Sequence, residues 1–226
     1  MKNVIKTILY KFGVYNLARN TIAKFYYPYK NYRIRTKASK ILEKMQRVFE
    51  ARGEEYWLDY GTLLGFVREG RIIKGDLDLD FGVLSQVSFE DELKKEQIYL
   101  TQRVTVKGVV AAEQYRYEDI GFDVFYYRKI ADDKIATNVW LALDYSIPQK
   151  VVYEQGGGEL GETVFSSFAT KEILFYGVPF RVPEDSDRYL REHFGDDYMI
   201  PDPDFTHKDE KNRNAVDKEF EMVFYG

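Results

Sequence analysis

The 226-residue chain reads as an α/β (α+β) domain in which a small mixed sheet carries carboxylates and helices pack against it. Three observations predict that class. Ala38, Ile41, Leu42, Met45, Val48 and Phe49 recur at i, i+3, i+4, i+7, i+10 and i+11, the apolar stripe of a helix over 36–52. Asp76, Asp78 and Asp80 alternate with Leu77, Leu79 and Phe81, the period of a strand with its acids on one face. The run Gly121-Phe122-Asp123-Val124-Phe125-Tyr126-Tyr127 sets a single carboxylate inside an apolar-aromatic strand.

In chain order, Ile5, Ile8, Leu9, Phe12 and Tyr15 give an amphipathic helix within residues 1–27, weakened at Gly13 and barred from running straight on by Pro28. The helix over 36–52 ends at Gly53, a suitable residue just past a helix C-terminus. Tyr56–Tyr60 is a short strand, Gly61-Thr62 its turn, and Thr62 the N-cap of a helix reaching about Glu69. Glu90–Tyr99 is helical, and Val104–Ala111 and Gln114–Tyr127 are strands of a hairpin. Residues 132–149 fit no single pattern. Gln155–Glu159, with three glycines, is a loop; residues 172–182 are a strand pair around Gly177; Ser186–Phe194 is a short helix stopped by Gly195.

A 45% hydrophobic composition is enough for one large domain with a sizeable core. Without cysteine there is no disulfide or thiolate metal site, which suits a reducing compartment. No run of about 18 apolar residues and no cleavable signal pattern is present. The formal net charge of −4 hides a polarity. Residues 1–40 hold ten Lys or Arg and no acid, which leaves 23 basic against 37 acidic residues in the remainder. We divide the chain into a basic arm, 1–35, and a domain, 36–226. Aromatics mixed with basic residues in the arm (Tyr26, Tyr27, Tyr29 and Tyr32) suit an anionic membrane surface; a helix packed on its own domain with a solvated basic face fits as well. Nucleic acid is not expected, because the acidic body would be repelled and base-reading motifs are absent.

The acids carry the chemistry. Like charges side by side in a strand repel, and a divalent cation offsets that; oxygen ligands suit Mg²⁺ or Mn²⁺. Alternate strand residues lie roughly 6.6–6.8 Å apart, so in a regular strand Asp76 and Asp80 stand about 13 Å apart and an adjacent pair, Asp78 and Asp80, holds the ion. Asp76, at the strand entrance after Gly75, is then an outer ligand or one acting through water. A solvated acidic edge is the bland alternative, and a calcium loop is excluded because Phe81 and Val87 stand where Gly and Glu are required. A strand feeding a helix N-terminus aims N–H groups at an anion, and Gly61 lets a phosphate approach closely. Asp59 precedes that turn. Arg68 reaches back to phosphate or forms a surface salt bridge. His193 is expected on a helix surface, and His207 in the Pro-rich tail could fold over the site.

Tyr56-Trp57-Leu58-Asp59-Tyr60-Gly61-Thr62-Leu63-Leu64-Gly65, then Arg68, then Asp76-x-Asp78-x-Asp80, resembles the LicD and fukutin-related family of the nucleotidyltransferase-fold superfamily. The resemblance extends to about residue 203. It implies a nucleotidyltransferase-like mixed sheet with packed helices and a C-terminal extension. It also implies that Asp123 is the third acid of the site, with Asp119 as fallback. One departure is visible: where the family usually has Pro-Trp-Asp-Asp-Asp-x-Asp, this chain has Lys74-Gly75-Asp76-Leu77-Asp78-Leu79-Asp80.

The activity implied is transfer of a phosphocholine or polyol-phosphate group from a CDP-linked donor to a sugar hydroxyl of a cell-surface glycan or its lipid-linked precursor. Asp78, Asp80 and Asp123 would be catalytic, and with Asp76 would hold two ions. Asp59, Gly61, Thr62 and Arg68 would bind substrate. The expected location is the cytoplasmic, inner face of a membrane, held there peripherally by the arm. A nucleotidyltransferase attaching NMP, or an inactive partner-binding module, is the alternative.

Overall fold

The apolar stripe read over 36–52 belongs to a longer helix. In the computed structural model, which describes residues 2–142, 147–202 and 204–225, α1 (Lys2–Lys11) is followed by α2 (Tyr15–Arg52). Pro28 lies inside α2, so the expected break there is corrected. A mid-helix proline costs about 3 kcal/mol through its missing N–H and ring clash. Packing downstream offsets it: Ile34, Ala38, Ile41, Leu42, Met45, Val48 and Phe49 are all buried. Asn31 and Ile34, which precede the boundary drawn at 35/36, are buried as well.

After α2 come β1 (Tyr56–Leu58), α3 (Tyr60–Glu69), β2 (Asp80–Val83), α4 (Glu90–Lys95), β3 (Ile98–Val106), β4 (Val109–Tyr117) and β5 (Ile120–Tyr126). Helix α4 is shorter than the expected 90–99 because Gln97 takes a left-handed φ of 63° and the chain turns into β3. The expected hairpin is three strands, turned at Lys107-Gly108 and at Glu118, whose φ is 53°. Together with the late strand β12 (Phe220–Phe224) they form a six-stranded mixed sheet in the order β1-β2-β5-β4-β3-β12. Its β2–β5 pair is parallel, and the other pairs are antiparallel.

A second sheet, ordered β11-β8-β7-β6, combines β6 (Arg128–Ala131), β7 (Lys134–Leu141), β8 (Glu159–Ser166) and β11 (Arg213–Ala215). The segment 132–149 is therefore largely β7; positions 143–146 lie outside the described residues. Helix α5 (Gln149–Glu154) precedes β8, and the pair β9 (Thr170–Phe175) and β10 (Val178–Pro183) turns at Gly177 as read. Helix α6 (Ser186–Phe194) then packs against α3, β8 and β10.

The main core lies between α2 and that sheet, where Phe49 stacks on Tyr56 (5.0 Å) and meets Phe89 edge-on (5.1 Å). Trp57 pairs across β1–β2 with Gly82, and a Cβ at 82 would stand 2.3 Å from its indole. Only glycine lets that ring cover the strand leading out of the acidic segment.

Candidate active site

The chain leaves β1 at Asp59 and enters α3 one residue later. Asp59, with φ −122° and ψ 170°, is the N-cap, and its Oδ1 accepts from the Tyr60 N–H at 2.8 Å. This corrects Thr62 as the cap. Thr62 lies fully buried inside the first turn, and its Oγ1 accepts from the Asp80 N–H at 2.8 Å, so it fixes the start of β2 and is not open to a phosphate.

Asp59 too differs from expectation. It is fully buried, and besides the Tyr60 N–H it takes hydrogen bonds from Tyr127 Oη (2.8 Å) and Tyr189 Oη (2.5 Å). Burial raises its pKa to about 6 against the pull of these donors. It therefore ties β1, the end of β5 and α6 together, and has no surface to offer a substrate. Arg68 is also displaced from its expected role. It lies in the last turn of α3, roughly 10 Å along the axis from Gly61, and donates to the Ile200 carbonyl at 3.2 Å. Asp119 pairs with Arg33 at 2.8 Å.

The acidic segment is not a regular strand. Only Asp80 belongs to β2; residues 76–79 form a bent approach after Gly75. The bend overturns the 13 Å separation expected of Asp76 and Asp80. An atom placed as Cβ on Gly61 would stand 3.3 Å from an oxygen of each, so those oxygens lie at most twice that distance apart. Across the parallel ladder Asp80 is the register partner of Asp123, roughly 4.8 Å away between backbones. The Asp123 N–H donates to the Leu79 carbonyl at 2.8 Å. The structure thus gathers Asp76, Asp80 and Asp123 where the N-terminus of α3 meets β2 and β5. Asp78 stands among them, and after burial its charge weighs most on each of the other three. All four are half-buried.

Burial and mutual repulsion push Asp76 up to about 7, and Asp80 and Asp123 well above the usual carboxylate range. A hydrogen bond from Gln114 and the charge of Lys30 oppose the shift at Asp123 only in part. A group of hard oxygen donors so short of positive charge fits a divalent cation by its chemistry. As they stand, no three acidic or histidine side chains among the described residues are arranged to hold a metal ion. Surface hollows lined by Lys107 and Glu219, and by Lys94 and Tyr99, lie toward the β3 and β12 side of the sheet, away from these acids.

Some contributors were not visible in sequence. Asn31 of α2 donates to the carbonyls of Ile73 (3.1 Å) and Asp76 (2.7 Å), holding the approach to the acids by its backbone. No local pattern marks it. Asp59 as a cap could have been found, since an Asp directly before a helical stretch is a start signal. His193, expected on a surface, is buried: its Nδ1 is 2.8 Å from Asn212 Oδ1, its ring packs on Tyr60, and burial lowers its pKa. His207 pairs with Glu210 at 2.7 Å.

The chain resembles several solved structures, among them the following two. The solution structure of the antibiotic-resistance factor ANT(2'')-Ia matches with 13% identity and TM-score 0.44, over 77% of this chain and 80% of that one. The lincomycin-bound lincosamide antibiotic adenylyltransferase LnuA matches with 17% identity and TM-score 0.40, over 71% and 94%. A comparison with curated proteins returns no match. The family model for the LicD/FKTN/FKRP nucleotidyltransferase domain matches residues 53–185, a span that contains β1, α3, all four acids and β5. That span is more than half of the chain, and the chain belongs to the LicD/FKTN/FKRP family.

Proposed function

We propose that this LicD-family transferase moves a phosphocholine or polyol-phosphate group from a CDP-linked donor to a sugar hydroxyl of a cell-surface glycan or its lipid-linked precursor. The observation that carries the proposal is the set of carboxylates facing Gly61. A bare phosphate arriving at Gly61 meets the oxygens of Asp76 and Asp80 first and is repelled. Phosphate can settle there only with cations between. Asp76, Asp78, Asp80 and Asp123 would hold two ions, Mg²⁺ or Mn²⁺, which when bound neutralise the diphosphate and polarise the attacked phosphorus. Thr62 fixes the Asp80 backbone, and Asn31 fixes the approach to Asp76. Asp123, the register partner of Asp80, would be a third ligand of these ions or the base that takes the proton of the acceptor hydroxyl. Among the described residues no helix is long and apolar enough to cross a membrane. We place the protein peripherally on the cytoplasmic face, where lipid-linked acceptors are within reach.

The test is a thermal-shift screen with CDP-choline, CDP-ribitol, CDP-glycerol, CTP and ATP, each with Mg²⁺ or Mn²⁺, followed by product analysis. We expect a metal-dependent shift with one CDP-linked donor and release of CMP. Pyrophosphate release from CTP or ATP would replace this reading with NMP transfer, and absence of any metal-dependent shift would reduce the domain to a partner-binding module.

A further inference from the structure

The first half of α2 turns an apolar face away from the body. Leu17, Phe25 and Tyr32 are spaced eight and seven residues apart, which puts them on one side of the helix. Their exposures are 71%, 80% and 65%. Phe12, at the turn from α1, is 78% exposed. Side chains this large and this uncovered, in succession along one helix, mark a contact surface rather than ordinary scatter.

Charge selects the occupant. Among the ten basic residues of positions 1–40, Arg33 and Lys37 pair with Glu118 and Asp119, and Lys40 lies over Tyr117. These fasten the second half of α2 to the body. Lys24, next to Phe25, and Lys11, next to Phe12, are exposed, with no acid anywhere in the arm. A helix presenting large apolar residues flanked by lysine matches the boundary between headgroups and acyl chains of an anionic bilayer.

We infer that the Leu17–Phe25–Tyr32 face of α2 docks on an anionic lipid surface and holds the carboxylates beside it. Phe25 lies roughly 9 Å along the helix axis from Asn31, the residue that grips the Ile73 and Asp76 carbonyls. One continuous helix therefore carries both the lipid face and the anchor of the acidic segment. This deepens the peripheral location proposed above by naming the residues that make the contact and their link to the site.

The experiment uses the full chain and phosphatidylcholine vesicles with and without phosphatidylglycerol. Wild type should sediment with the anionic vesicles at low salt and leave them in part at high salt. The double variant Leu17→Glu, Phe25→Glu should lose partition by about tenfold or more, with unchanged circular dichroism, melting temperature and CMP release on a soluble acceptor. Wild type remaining in the supernatant, or equal partition of the double variant, would overturn the inference. So would a wild-type dimer that the double variant turns into monomers, because a second copy would then cover this face. Equal salt-sensitive binding of wild type to duplex DNA would overturn it in favour of nucleic acid. Vesicle binding is read without donor, so a failure of phosphotransfer and a failure of docking appear separately.

Discussion

Asp59, just past β1, and Asp80, at the start of β2, are joined by a backbone hydrogen bond of 3.0 Å from the Asp59 N–H to the Asp80 carbonyl, yet their carboxylates live in opposite surroundings. Asp59 is met by one backbone N–H and two tyrosine hydroxyls. Asp80 is met chiefly by Asp78, Asp76 and Asp123. A buried carboxylate whose lone pairs are filled by donors is a fastening. A carboxylate pressed against others of its own charge weakens the fold unless something positive arrives. The contrast separates a carboxylate satisfied by donors from one that lacks them within one strand-helix-strand unit, although both residues appear in sequence as acids flanked by apolar neighbours.

The sharpest way to break this comparison is substitution on each side of it. Asp80→Asn should lower turnover by at least about 100-fold, the scale of losing one preorganised charge-stabilising group. Its metal-free melting temperature should be equal to or above wild type, because a repelling charge is gone. Near-normal turnover in the purified variant would remove Asp80 from the chemistry. Asp59→Ala should act the other way, destabilising by about 3 kcal/mol through its orphaned hydroxyl donors and lost cap. Urea unfolding reads this as a lower midpoint at unchanged slope, and a midpoint equal to that of wild type would deny Asp59 its structural role.

A smaller effect follows from pH. Asp76, at about 7 in the fold, keeps a proton that the unfolded chain releases near 3.8. Stability from this group is therefore present at low pH and lost as pH climbs through that interval; Asp59, at about 6, adds in the same direction. The metal-free melting temperature should fall between pH 4 and 7, by about 2–4 °C for each kcal/mol lost, and added Mg²⁺ should reduce the fall. A melting temperature rising steadily across the same interval would contradict the assigned electrostatics.

Elements whose signals are local could be read from sequence. The α2 stripe, the strand pair around Gly177 and the limits of α6 needed only neighbouring residues. Misreadings arose where distant contacts decide. The alternation of Asp76 to Phe81 is a genuine period of two, but α3 and Asn31 bend its first half out of any strand. Pro28 fails to break α2 because the stripe beyond it is so well buried. The placement of Asp123 beside Asp80 depends on a parallel ladder that no local pattern reveals. The partnership of Asp59 with Tyr189 joins residues on elements far apart in the chain, and the burial of His193 depends on Tyr60 of α3, Phe165 of β8 and Asn212, none of them local to α6.

The parallel pairing of β2 with β5 has one more consequence. Asp80 and Asp123 share a face only in the register that sets them opposite each other. A slip of β5 by one residue would turn Asp123 to the other side and bring Phe122 or Val124 into its place, both of which are buried in the native sheet. A misaligned chain would therefore expose apolar side chains and lose an acid in the same error. Alignment of these two strands decides both solubility and competence, so a mis-registered molecule would be removed by aggregation or proteolysis before it could act on the wrong group.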